Sequence, residues 1–194
     1  MSIGVVACGA LATHIGDIAA AHQLDLTIYP LPPLLHNRPE KIASEVDALL
    51  TQIKVKHSKC AVAYADCGTY GALDVVIARH GVKRLGGNHC YDIFAGAPKI
   101  QAIMDADAGT YFLTDFLVKS FHRSVIVELG LDKRPELRDD YFKNYSRVMW
   151  LAQVRTAELE VLARAAAAEI GLPLEIQEVG YGQLAQQVKE LLSN

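Results

Sequence analysis

Cys8, Cys67 and Cys90 each follow a short strand-like run and each precede a segment of helical character, in Ala7-Cys8-Gly9, Asp66-Cys67-Gly68 and Asn88-His89-Cys90. Thiolates are the preferred ligands of structural and catalytic zinc and of iron-sulfur clusters. Three of them brought to one place would hold either a zinc ion or a cluster with one open iron, and the open coordination position is what a substrate would use. A helix beginning behind each cysteine places partial positive charge at the sulfur, which predicts lowered thiol pKa values. The spacing is neither a CxxC pair nor a zinc-finger pattern, so convergence depends on the fold, and a redox disulfide among the three is an alternative use. Cys60 opens its own apolar run, Cys60 to Ala65, and reads as a small core side chain.

Polar residues gather around the same segments. His36, Asp66 and His89 are candidate catalytic acids and bases, or a fourth metal ligand. Asn37, Asn88 and Tyr111 are candidates for binding a ligand. Each has a simpler use: His36 as a solvated loop residue, Asp66 and Asn88 as hydrogen-bond partners of the backbone in turns, His89 as a helix cap, and Tyr111 in a turn entering a helix. The glycines of Cys67-Gly68-Thr69-Tyr70-Gly71 match neither a P-loop nor the GxGxxG fingerprint, so nucleotide binding is not expected.

The elements that must position these groups follow from hydrophobic period. Ser2 to Cys8, the alternating Leu24 to Tyr29, Cys60 to Ala65, and the short Val82 to Leu85 read as strands. Between them lie helical patterns over Ala10 to Ala21, about Ile42 to Ile53, and Tyr70 to His80, which Gly81 stops. Strands alternating with helices predict an α/β fold with a doubly wound, mainly parallel sheet in the flavodoxin-like order 2-1-3-4. In that order the strands that end at Cys8, Cys67 and Cys90 are neighbours, and their carboxyl ends are where ligands bind. Beyond Gly109 the chain reads as mostly helical, over Phe112 to Phe121, Glu136 to Trp150 and Thr156 to Ile170, followed by a strand at Leu174 to Val179 and a helix at Gln183 to Leu192. We read residues 1–194 as a single domain, with the helical segment of about 112–170 packing on it.

Composition narrows the partners. The 194 residues carry a formal charge of -3, with 51% hydrophobic and 21% charged residues, which offers no basic field for nucleic acid. No apolar run approaches the roughly 20 residues of a membrane span, and the first residues lack a signal-peptide pattern. A cytoplasmic location is expected, where cysteines serve metals or chemistry more often than disulfides.

Ala7-Cys8-Gly9-Ala10-Leu11, Leu35-His36-Asn37-Arg38-Pro39, Tyr64-Ala65-Asp66-Cys67-Gly68, Asn88-His89-Cys90-Tyr91-Asp92 and Gly109-Thr110-Tyr111 together resemble the bacterial and archaeal family termed domain of unknown function 1638. Archaeal members carry a His-Asp-Cys triplet where this chain has Asn88-His89-Cys90. The genes of that family often lie near corrinoid-dependent methyltransferases acting on methylamines and betaines. The resemblance thus implies a setting in one-carbon, methylated-amine metabolism. In that setting the chain would be a metal-dependent enzyme for a small-molecule substrate, or a non-catalytic accessory delivering metal, an electron or a corrinoid to a methyltransferase or corrinoid protein.

Overall fold

The computed structural model describes residues 2–193. The chain forms two compact units, one made of the residues up to Ile93 together with those from Tyr181 on, the other of Phe94–Gly180.

In the first unit, strands β1 (Ile3–Cys8), β2 (Leu26–Leu31), β3 (Cys60–Ala63) and β4 (Lys83–Arg84) alternate with helices α1 (Gly9–Ala21), α2 (Ile42–Ile53) and α3 (Ala72–His80). α4 (Cys90–Ala95) follows. The four strands form one parallel sheet in the order β2-β1-β3-β4, the expected flavodoxin-like order. Val5, Val6, Ala7, Ala61, Val62 and Ala63 are all buried, which is why β1 and β3 read as unbroken apolar runs. The path from β1 to β2 and the return from β2 to β3 run in opposite directions across the sheet. Right-handed crossovers therefore put α1 on one face and α2 with α3 on the other, and α2 does pack against α3. The switch in direction falls between β1 and β3, beside Cys8.

The second unit contains α5 (Ala97–Ala106), β5 (Thr110–Thr114), α6 (Asp115–Phe121) running into a π-helical turn over His122–Val127, α7 (Arg138–Phe142), β6 (Arg147–Ala152), α8 (Ala157–Glu169) and β7 (Leu174–Glu178). Its three strands make a separate parallel sheet, ordered β5-β6-β7. Two segments that read as helix, the beginning of Phe112 to Phe121 and the end of Glu136 to Trp150, are therefore strands. Continuous apolar runs suit a buried strand as well as a buried helix, and pairing with neighbours decides between them. Between its helices, the segment of about 112–170 holds two strands of a second sheet with its own core. Leu113, Val148, Trp150 and Ala152 lie in this core with Val118, Phe121, Leu159 and Ala163 from the helices. Thr114 and Thr156 cap α6 and α8 by accepting hydrogen bonds from the Leu117 and Leu159 amides. The chain returns to the first unit with α9 (Gly182–Ser193), which packs with α1. No helix among the described residues is long and apolar enough to cross a membrane.

Candidate metal centre

Cys8 ends β1 and precedes α1 directly. A Cβ on Gly9 would lie 2.5 Å from the Leu31 carbonyl oxygen and 3.0 Å from the Pro33 nitrogen, so only glycine lets the segment after β2 pass this close. At its other end, the same segment reaches the loop after β3, where a Cβ on Gly68 would meet Pro39 at 3.4 Å. Residues 33–39, with His36 among them, thus lie against both Cys8-Gly9 and Cys67-Gly68. The loop that carries Cys67 is itself unusual: Cys67 and Tyr70 have φ of 51° and Gly68 and Gly71 have φ of 81° and 86°. Left-handed backbone at non-glycine residues is strained and persists where surroundings impose it. Here Asp66 imposes it, accepting from the Thr69 hydroxyl at 2.7 Å and from the Tyr70 and Gly71 amides at 3.0 Å each. The Asp66 amide donates to the Gly87 carbonyl, and the Cys67 amide to the Asn88 carbonyl at 2.7 Å, which ties this loop to the one before Cys90. That second loop is anchored by the buried Asp92, whose carboxylate accepts from the Asn88 and His89 amides.

The three cysteines are free thiols that bear on one another electrostatically. The helix starts were expected to lower their pKa values, and the direction is the reverse. Burial raises Cys8, with the Ala10 amide, the Tyr64 hydroxyl and the Leu11 amide opposing it only in part. Burial, followed by the nearby Cys8, pushes Cys67 up to about 12. Cys90 is raised well above the ordinary thiol value by burial and then by Cys67 and Cys8. Desolvation of a thiolate outweighs the helix ends, and each thiolate would repel the other two. Among the described residues, no three His, Cys, Asp or Glu side chains are grouped so as to hold a metal ion. The three thiols follow the carboxyl ends of β1, β3 and β4, and burial favours their protonated form.

Tyr64, the residue after β3, completes the site. It is 1% exposed, and its hydroxyl has no partner in ordinary hydrogen-bond geometry among the described residues, its one polar interaction of that kind being a weaker one with the Cys8 sulfur. Burial, and then the neighbouring Cys8 and Cys67, raise its pKa strongly.

The protonated state has a measurable consequence. In metal-free protein at pH 8, Cys67 is expected to react with iodoacetamide about 100-fold or more slowly than an unperturbed cysteine, because the thiolate is the nucleophile. The rate should climb as pH approaches 12. A folded pKa of about 12 against an ordinary 9.0 also means that stability held below pH 9 is lost as pH rises through that interval. Alkylation rates followed by mass spectrometry across pH check the first statement.

Residues 30–188 match the model of a family described as a protein of unknown function, DUF1638. The chain belongs to the DUF1638 family. Comparison with curated proteins and with solved structures gives no match. Cys67, Cys90, Tyr64 and His36 of this DUF1638 protein fall inside the matched span, and Cys8 lies ahead of it.

The remaining candidates divide. In the DUF1638 chain His36 is half-buried in a 3-10 turn, Pro33–Asn37, and its Nδ1 lies 2.6 Å from the Pro33 carbonyl oxygen. A carbonyl only accepts, so Nδ1 donates there and Nε2 is the ring nitrogen left for other contacts. Asn37 is exposed at the end of that turn. Asp66 is occupied by its loop: burial alone would raise its pKa, but the Thr69, Gly71 and Tyr70 hydrogen bonds bring it below the ordinary carboxylate value. Its role is to hold Cys67 in place, and a carboxylate so engaged is a poor proton carrier. Asn88 and His89 are exposed and contribute through their backbone, and the His89 ring lies 6.2 Å from that of Tyr91. Tyr111 belongs to the second unit, on β5, its ring edge-on to Phe142 and Tyr145. Burial pushes its phenol up to about 12, as suits an aromatic packed among aromatics. Cys60 begins β3, at the opposite end of the sheet from Cys8. Tyr64 and Asp92 are the two residues that sequence reasoning passed over. A phenol ending a buried strand three residues before Cys67, and an acid two residues after Cys90, are the signals that mark them.

Proposed function

We propose that this DUF1638 protein is a metal-dependent enzyme for a small-molecule substrate, with Cys8, Cys67 and Cys90 as the protein ligands of a zinc ion or of an iron-sulfur cluster with an open iron. The observation that carries the reading is the mutual influence of Cys8, Cys67 and Cys90, which would repel one another as thiolates and which follow the carboxyl ends of neighbouring strands. A cation is what allows neighbouring buried thiols to shed their protons. The donor types suit such a metal, three soft sulfurs with the nearby Asp66 committed to its own loop, and the side chains would have to draw together to hold the ion. When bound, such a metal supplies an open coordination position that polarises a substrate or activates a thiol. His36, fixed through Nδ1 on the segment that lies against both Gly9 and Gly68, is the group we assign to proton transfer at Nε2. The resemblance to a family whose genes neighbour corrinoid-dependent methyltransferases directs the substrate class to methylated amines and betaines, in the cytoplasm.

A second reading is an accessory that hands metal, an electron or a corrinoid to a methyltransferase system. It is favoured by Tyr70, three residues beyond Cys67, which the loop holds 96% exposed, as a docking side chain would be. Protein purified without oxygen tests both. Iron with sulfide and a brown colour supports a cluster, one zinc in colourless protein supports zinc, and protein that takes up neither sinks the metal proposal. Turnover of methylated amines by the metal-bearing protein alone supports the enzyme, whereas co-purification with a corrinoid protein and no turnover supports the accessory.

A further inference from the structure

The amino ends of the first unit's strands carry a hollow of their own, at the opposite end of the sheet from Cys8. Its volume is about 260 Å³, and it is lined by the first residues of β1, β3 and β4 and by the last turn of α9. Ile3, Leu191 and Leu192 give it an apolar side, and the half-buried Cys60 lines it where β3 begins. Its charged lining is of one sign: Lys54, Lys59 and Lys83 border it, and among the described residues no Asp or Glu does. Lys54 has a use already, since its ammonium donates to the His80 carbonyl at 2.6 Å, at the negative end of α3. Its charge also reaches into the hollow, where burial raises the Cys60 thiol and Lys54 opposes that rise. Lys59 and Lys83 make no ion pair among the described residues. Two acids adjoin the hollow without lining it. Asp47 is held by Arg79 at 2.5 Å and by His80 at 2.6 Å, and Glu190, beside Leu191, accepts from Gln186 at 2.9 Å.

Like charges set around a concave surface repel one another and concentrate anions there. We infer that this hollow binds a small anion-bearing molecule, a phosphate or carboxylate on an apolar body, with Lys54, Lys59 and Lys83 serving the anion and Ile3, Leu191 and Leu192 the body. The volume lies below the roughly 300–1,000 Å³ of sites for drug-sized ligands, so the occupant is smaller than those. Lysine ammonium groups act on such a ligand as point charges and hold either kind of anion. Sites of reaction in open α/β sheets lie at the carboxyl ends of the strands. An occupant here therefore stands apart from the candidate metal centre, and its binding does not depend on a metal there.

The experiment titrates the full chain with phenyl phosphate, benzoate and the neutral benzyl alcohol by calorimetry. The two anions are expected to bind and benzyl alcohol is not; the tighter of the two anions tells a phosphate site from a carboxylate site. Lys59→Gln and Lys83→Gln should each weaken anion binding about 2- to 5-fold, the measure of one solvent-exposed charge pair, and added salt should weaken it further. Cys60 reports the place. Bound anion should slow its alkylation by iodoacetamide, read by mass spectrometry, and leave the rate at Cys67 unchanged. Benzyl alcohol that binds as tightly as the anions, affinity unchanged in both lysine variants, or protection of Cys67 in place of Cys60 each overturns the inference. So does the failure of both anions to bind at about 10 mM, the weak end of specific affinity.

Discussion

Cys67→Ala protein, purified without oxygen, is expected to carry no stoichiometric metal, with affinity lowered about 100- to 1,000-fold, the share of one ligand in a binding free energy of roughly 10–16 kcal/mol. Cys8→Ala and Cys90→Ala should behave alike, and Cys60→Ala, at the far end of β3, should bind as wild type does. Alanine is the informative choice at position 67, because it has the same Cβ and bears the same backbone strain at φ 51° as cysteine. A change in metal content then reports the sulfur and not the loop. Cys67→Gly separates the two effects further: glycine accepts positive φ, so the stripped protein should gain about 1 kcal/mol while still losing metal. A protein more stable without its cysteine would mark the left-handed backbone as a cost borne for the site. Metal analysis with an absorption spectrum, set beside urea unfolding of each stripped variant, gives both readouts. Retention of metal by Cys67→Ala would remove that residue from the site.

Asp115→Ala is expected to lower the stability of the second unit by about 3–5 kcal/mol, as breaking a buried, fully hydrogen-bonded charge does. Asp115 is 2% exposed. Its carboxylate accepts from Trp150 Nε1 at 2.9 Å, the Gln153 amide at 3.1 Å and the Val154 amide at 2.8 Å. Its own amide donates to Gln153 Oε1 at 2.9 Å. These bonds tie the start of α6 to the end of β6, and alanine would leave the Trp150 and Gln153 donors shut away from water. Asp115→Asn should cost less, since one carboxamide oxygen still accepts. Trp150 is the single tryptophan of the chain, so its fluorescence reports the unfolding of this unit directly. The urea midpoint by Trp150 fluorescence should fall in the order wild type, Asn, Ala. An unfolding free energy for Asp115→Ala within about 0.5 kcal/mol of wild type, the scale of an ordinary surface substitution, would show the network to be dispensable.

Local pattern carried far in the first unit. Strand, cysteine and helix recur at Cys8, Cys67 and Cys90 because each βα unit must turn at the carboxyl end of its strand, and small or polar residues mark that turn. Alternation of strand and helix implied parallel pairing, and the right-handed crossover rule then left few orders to choose from. Gly81 after α3, and the stripe Ile42, Val46, Leu50 and Ile53 on α2, could be read directly. The closing β7 and α9 were also legible, the first from period-two alternation over Leu174–Glu178 and the second from an amphipathic run.

What tertiary structure alone decided is non-local. Thr110–Thr114 and Arg147–Ala152 became strands because each found a partner to complete its backbone hydrogen bonds, which no short window of sequence contains. That pairing gave the segment of about 112–170 its own sheet. Asp66 has the letters of a catalytic acid, and only the three donors around it make it the anchor of the Cys67 loop. The sequence by itself determined that each of three cysteines would follow the carboxyl end of a parallel strand, since spacing and crossover geometry are properties of the chain. The upward shift of their pKa values, against the pull of the helix ends, and the burial of Tyr64 beside them come from packing, because desolvation depends on every group that encloses a site.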